Sequence, residues 1–196
     1  MKIREAVFEK SVSLNSWKIF LDNRKEIIFV GRSNVWKSSL INALIHKKDL
    51  VKTSSVPWKT RTANIFLINK KYHFTDLPWY GFAKLGKEFK DSLDGLISWY
   101  LEEKKHTIAQ IVIVLDSKIW AQKSDIDMYT YIQSLHLPIT FVLSKIDRLK
   151  KSDISKVKMH TEQMFFWSRI VTTSVHNNIW IVDLQKIISN SLKHNA

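Results

Sequence analysis

The feature that most restricts the fold of this chain is a short apolar run that passes through a tight loop straight into a helical pattern. The three parts are IIFV (27–30), GRSNVWKS (31–38) and the helical KSSLINAL (37–44). A strand that is apolar throughout suits a sheet covered on both faces. The loop differs from the phosphate-binding pattern GxxxxGK[ST] at one place, Trp36, where glycine is required. That pattern needs bare backbone N–H groups to wrap phosphates, a lysine to bridge their outer oxygens and a hydroxyl to hold magnesium.

The same rhythm continues along the chain. Further strands are expected at 64–68 (NIFLI), 72–75 (YHFT), 111–115 (IVIVL), 139–143 (ITFVL) and 170–173 (IVTT), with helices at 37–46, 86–103, 123–135, 151–166 and 180–192. Only the short polar NKK separates the second strand from the third, which implies a hairpin. The expected architecture is α/β: a mostly parallel six-stranded sheet with one antiparallel pair and helices on both faces. A chain of 196 residues suits one domain, here 26–196, with an N-terminal extension (1–25) packed on it. Ligands of such sheets bind beyond the carboxyl ends of the strands.

Three more motifs fall at those ends. DLPWYG (76–81) follows the third strand, where an aspartate can reach magnesium and the next turn can touch a terminal phosphate. SKID (144–147) follows the fifth, and a carboxylate at Asp147 can accept both N1–H and the exocyclic amine of guanine. Adenine has no such donor pair, so Asp147 selects GTP over ATP. TSV (173–175) follows the sixth and suits backbone contacts with guanine O6.

With these motifs in order, the sequence resembles the EngB family (also called YsxC or YihA) of small bacterial GTPases, from about residue 26 to about residue 192. The resemblance is carried by GRSNV with KSSLINAL, TSSVP with KTR (53–61), and DLP with YGFAK (76–84). It implies the P-loop GTPase fold, binding of GTP and GDP, hydrolysis, magnesium, a role in assembly of the large ribosomal subunit, and the family's association with cell division and septation. It also implies roles residue by residue. Gly31, Arg32, Ser33, Asn34, Val35, Trp36, Lys37 and Ser38 line the phosphate cradle, with Lys37 on the β- and γ-phosphates. Ser38 and Thr60 ligate magnesium, and Asp76 reaches it through water. Trp58, Lys59, Thr60, Arg61 and Thr62 belong to a switch that closes over the nucleotide, while Leu77, Pro78 and Trp79 meet the γ-phosphate. Ser144, Lys145, Ile146 and Asp147 hold the base, as do Thr173, Ser174 and Val175. Lys37, Asn34 and Thr60 carry the catalytic work. Tyr80 stands where many GTPases have a water-orienting glutamine, so intrinsic hydrolysis should be slow. An asparagine at position 34 suits GTPases that use a potassium ion as extra positive charge. The competing reading is that Asn34 only hydrogen-bonds its loop.

The chain departs from the family in one systematic way. It has 4 glycines and 8 tryptophans, against roughly 14 glycines at the usual frequency of about 7%. Trp36, Trp58, Trp79, Trp120 and Trp180 stand where the family has glycine, Trp17 and Trp167 lie in expected turns, and Trp99 sits in a helical stretch. Some bacterial lineages read UGA as glycine and others as tryptophan. UGA codons meant as glycine but translated with the other code would give this pattern. The alternative is a set of real tryptophans in a decayed GTPase, which would leave a nucleotide-free RNA-binding scaffold.

Charge points to a partner. Lys and Arg number 31 against 18 Asp and Glu, for a net +13, beyond the magnitude of about 2 to 8 that suits a small soluble domain. An extended polyanion such as rRNA fits, although surplus lysine can also serve solubility alone. The basic run 151–160 with Lys47, Lys48, Lys70, Lys71, Lys104 and Lys105 is the expected docking face. The chain has no cysteine, so disulfides and thiolate metal sites are excluded. The seven histidines show no metal-ligand spacing. No apolar run approaches the roughly 18 residues of a membrane span, and the expectation is a cytoplasmic monomer. A GTPase acting on a protein partner at the septum is the third reading.

Overall fold

Residues 2–16, 22–51, 62–78, 80, 87–166, 168–175 and 181–194 are described by the computed structural model of the chain, 87–90 and 194 by backbone alone. Among them run seven strands: β1 (Ala6–Val12), β2 (Glu26–Gly31), β3 (Ala63–Ile68), β4 (Tyr72–Asp76), β5 (Ile108–Asp116), β6 (Ile139–Ser144) and β7 (Arg169–Thr172). The helices are α1 (Lys37–Leu44), α2 (Lys87–Lys104), α3 (Lys123–Ser134), α4 (Lys151–Met164) and α5 (Ile181–His194). The strand order is β1-β3-β4-β2-β5-β6-β7. β2 pairs in parallel with β4 and β5, and β5–β6–β7 continue in parallel. The β3–β4 hairpin is antiparallel, as its short link requires.

All six expected strands are present, and β1 is added to them. It pairs antiparallel with β3, from Ala6↔Ile68 to Val12↔Ala63, so a second antiparallel pair closes the edge. AVFEKSV lacks a clean alternation because only its two ends are buried. The charged Glu9 and Lys10 in its middle are the feature by which an edge strand discourages further pairing. The register slips between Phe8 and Lys10, leaving Glu9 as the extra residue of a bulge.

The strands at the centre bury both faces. From β2, Ile27 and Phe29 point to one side, with Leu40, Ile41 and Leu44 of α1 and Leu184, Ile188 and Leu192 of α5. Ile28 and Val30 point to the other, with Ile97, Tyr100 and Leu101 of α2, Tyr129 and Ile132 of α3, and Val157 of α4. Between α3, α4 and β6, the rings of Tyr129, Phe141 and Phe165 lie 4.1 to 5.6 Å apart. No helix is long and apolar enough to cross a membrane among the described residues.

The amino end of β2 holds a buried polar group. Glu26 accepts hydrogen bonds from Thr75 and Tyr100 (both 2.9 Å) and Thr107 (3.0 Å), with Lys104 Nζ at 3.8 Å. Burial pushes its pKa above the ordinary carboxylate value, partly offset by the Lys104 charge and by these donors. Lys104 also donates to the Asp22 carbonyl. This lysine is therefore turned inward and buried, a correction to its expected place on an exposed docking face.

Candidate functional site

The site forms where β2, β4, β5, β6 and β7 end. Gly31 closes β2 because nothing larger fits there: a Cβ would lie 2.8 Å from the Val114 carbonyl oxygen and 2.9 Å from Val35 Cγ2. The chain then turns through Arg32, Ser33, Asn34 and Val35. Asn34 is exposed with φ 63°, and Val35 is buried as an anchor. Trp36 caps α1 with φ 64° and ψ 30°, and its carbonyl accepts the Leu40 N–H at 2.9 Å. The first turn carries no acidic side chain, which leaves the positive end of the helix free for an anion. Ser38 is half-buried in that turn.

Lys37 is buried. Its ammonium donates to the Leu77 carbonyl and lies 2.6 Å from Asp76 Oδ1. That carboxylate oxygen is itself buried and receives no hydrogen bond in proper alignment, so the contact is a charge contact alone. A buried carboxylate oxygen that holds a charge contact but no hydrogen bond suits a hard cation such as magnesium. Leu77 donates to the Phe29 carbonyl (3.1 Å), and Pro78 is buried behind it.

The base end is built in the same manner. Lys145 takes φ 61°, and its ammonium reaches the Asn34 carbonyl (2.5 Å) and Asp116 Oδ2 (2.6 Å). This ties the SKID turn to the phosphate loop. Asp116 was not marked by sequence reasoning, although it ends a buried strand as Asp76 does. Ser144 donates to the Leu115 carbonyl (2.9 Å), and Ile146 is buried with its N–H on Thr173 (3.3 Å). Asp147 is exposed and receives the Ser174 hydroxyl at 2.5 Å, which fixes its carboxylate. Thr173 and Ser174 are buried and Val175 is half-buried. Gly31 through Ser38, Asp76 through Pro78, residues 144–147 and 173–175 are thus brought together. Thr62 is half-buried and donates to Asn64 (3.3 Å) at the start of β3. Trp58, Lys59, Thr60, Arg61 and Trp79 lie outside the described residues.

Two aromatic side chains are placed by the fold. Tyr80 is buried and donates to Asp125 of α3 at 2.9 Å, turned away from any water-orienting role. Burial first, and the carboxylate next, push its pKa well above the usual value for a phenol. Arg32 Nη1 stands 3.9 Å from the same Asp125. Trp36 projects its indole to the SKID turn, where Arg148 Cζ is 4.5 Å and Lys145 Nζ 5.1 Å from the ring centre. The ring therefore lies across the approach between the phosphate loop and the base-binding turn.

The described tryptophans fall into two kinds. Trp36 and Trp120 both have φ 64°, a left-handed conformation in which a bulky residue is an outlier. Trp99 lies inside α2 with its ring edge on Tyr100, 6.4 Å between centres. Among the described residues, the two positions matched to family glycines, 36 and 120, are those where the backbone asks for glycine.

Comparison with known proteins agrees with this arrangement. The family profile described as "50S ribosome-binding GTPase" matches residues 26–145. A probable GTP-binding protein EngB from Lactobacillus helveticus is 38% identical over 175 residues, covering 87% of this chain and 89% of that protein. The one from Chlorobaculum tepidum is 44% identical over 141 residues, covering 72% and 73%. Among solved structures, a probable GTP-binding protein engB superposes with a TM-score of 0.73 at 24% identity, covering 86% of this chain and 99% of that one. Era in complex with MgGDPNP and nucleotides of 16S ribosomal RNA gives 0.66 at 19%, covering 85% and 56%. At those identities the structures speak for the fold. Taken with the sequence matches over most of the chain, they lead to one conclusion: the chain belongs to the EngB family of GTP-binding proteins and is a GTPase.

Proposed function

We propose that the chain binds GTP across the ends of β2, β4, β6 and β7, hydrolyses it slowly to GDP, and uses the cycle to dock on and leave the precursor of the large ribosomal subunit. It acts in the cytoplasm as a monomer, and normal division and septation depend on it. The observation that carries this reading is the pairing of Lys37 with Asp76 and of Lys145 with Asn34, which joins the phosphate loop to both neighbouring loops. The printed description of the matching profile and the +13 charge support a ribosomal partner.

In this reading Lys37 exchanges its Leu77 contact for phosphate oxygens, and the N–H groups of residues 34–39 hold the remaining phosphate charge. Ser38, Asp76 and Thr60 would hold magnesium, which neutralises charge on the outer phosphates when bound. Switch residues 58–62 close over the nucleotide. Asn34 would help to hold a potassium ion, which would supply extra positive charge for hydrolysis. Asp147, held by Ser174, accepts the two guanine donors.

We also infer that the native polypeptide carries glycine at 36, 58, 79, 120 and 180. The Trp36 backbone supports this, and the position of its indole favours the competing scaffold reading for any molecule that does carry tryptophan there. Mass spectrometry of the tryptic peptide containing position 36, from protein made in its own host, decides between glycine and tryptophan. Base selectivity tests the site. With glycine at 36, 58 and 79, Asp147→Asn should weaken GTP and strengthen xanthosine triphosphate, because xanthine has an acceptor where guanine has its amine. Unchanged GTP affinity would remove Asp147 from the site.

A further inference from the structure

At the opposite end of the parallel strands from Lys37, side chains from three separate stretches meet: Glu9 in the bulge of β1, Asp22 ahead of β2, and His73 on β4. One oxygen of each carboxylate and one histidine nitrogen all lie within 4.8 Å of one another. His73 Nε2 is 3.0 Å from Glu9 Oε2 and 3.6 Å from Asp22 Oδ2. His73 is 2% exposed, yet this nitrogen makes no hydrogen bond. The Glu9 oxygen is close enough but lies off its axis, and the Asp22 oxygen stands just beyond hydrogen-bond distance.

A buried polar nitrogen left without a hydrogen bond is rare in folded proteins. Atoms that share an ion aim at the ion, not at each other, which accounts for close approach without alignment. At bond lengths of about 2.0–2.1 Å, separations of 3.0 and 3.6 Å correspond to ligand–metal–ligand angles of about 90° and about 120°, on either side of the tetrahedral value. We propose that Glu9, Asp22 and His73 form a binding site for a divalent transition-metal ion of the zinc class, with solvent completing its coordination.

The ligand set selects the ion. One imidazole with two carboxylates suits zinc, whereas magnesium prefers oxygen alone. The bulge at Glu9 serves the site by re-aiming that side chain across β3 towards β4. Arg24 is the competitor: its Nη1 pairs with Asp22 and lies 3.4 Å from Glu9 Oε1. Its side chain is 38% exposed and can turn out to water when an ion takes its place. Bound metal would fasten the edge strand β1 and the entry to β2 onto β4.

The test uses the full chain with zinc alone, read by equilibrium dialysis, and cobalt as a coloured substitute. One zinc per chain is expected, with a raised melting temperature and a cobalt spectrum of low coordination number. His73→Ala and Glu9→Gln should each weaken zinc about tenfold or more, and circular dichroism confirms that the variants fold. If His73→Ala unfolds, Glu9→Gln decides, since Glu9 is partly exposed on an edge strand. Arg24→Gln should tighten zinc about tenfold by removing the competing charge. No stoichiometric zinc in the folded protein, or zinc held undiminished by Glu9→Gln, overturns the proposal.

Discussion

A side chain at position 36 burdens the phosphate loop in two ways. The left-handed backbone costs an L-residue about 1–2 kcal/mol, and the indole lies on the groups of Lys145 and Arg148. Trp36→Gly should therefore raise stability by about 1 kcal/mol and, with glycine also at 58 and 79, raise GTP affinity at least about a hundredfold, near 3 kcal/mol. Trp120→Gly should relieve similar strain but leave GTP binding unchanged, because Trp120 packs on His160, 4.5 Å between ring centres. Chemical denaturation and nucleotide titration of both variants check the contrast. Asn34 gives a second test: turnover of the glycine-restored protein should be faster in potassium than in sodium, and Asn34→Ala should abolish the difference. Lys37, Asp76, Lys145 and Asp147 could be read from the sequence because each belongs to a motif of fixed spacing, GRSNVWKS, DLPWYG or SKID, that follows an apolar strand. Asp116 also ends a strand but belongs to no such motif, and its partner Lys145, like the partners in the Tyr80–Asp125–Arg32 group, meets it only once the sheet has assembled.

Among the elements, β1 was missed and β2 was plain, for the same reason. Hydrophobic patterning reports burial, and β2 is buried at every position while β1 is buried only at its ends. Pairing of a mostly exposed edge strand is decided by its partner more than by its own residues. At the start of β2, Glu26 gives a pH prediction. Its pKa is raised in the folded state, so folding takes up a proton there. The stability this brings is present near pH 4.5 and is lost as pH rises through the folded pKa. Glu26→Gln keeps the acceptor for Thr75 and Tyr100, while Thr107 can turn its hydroxyl to the Lys104 carbonyl at 2.9 Å. The variant should therefore gain on the wild type between about pH 5 and pH 8, by about 1.4 kcal/mol for each tenfold rise in proton affinity that folding gives the Glu26 carboxyl. Denaturant melts at both pH values measure the difference. A constant offset would mean that Glu26 is ionised throughout.

For the whole molecule, the charge of +13 governs association. If exposed lysines meet rRNA phosphates, the affinity for the large subunit should fall log-linearly with salt, by about 0.7–0.9 in slope per phosphate neutralised. Replacing Lys47 and Lys48, both exposed, with alanine should reduce that slope by up to twice this amount. Lys104→Ala should leave the slope alone and lower stability, because that ammonium is buried on Glu26 and Asp22. Sedimentation with ribosomal particles over a salt series reads both. The pairing of β1 with β3 also orders events during synthesis. Ile68 leaves the ribosome well after Ala6, which it pairs with, several seconds on at about 5–20 residues per second. β1 must therefore wait unpaired while β2 and the phosphate loop emerge. A nascent chain arrested before residue 63 would display β1 open to proteases, and one arrested after the β3–β4 hairpin has cleared the exit tunnel would protect it.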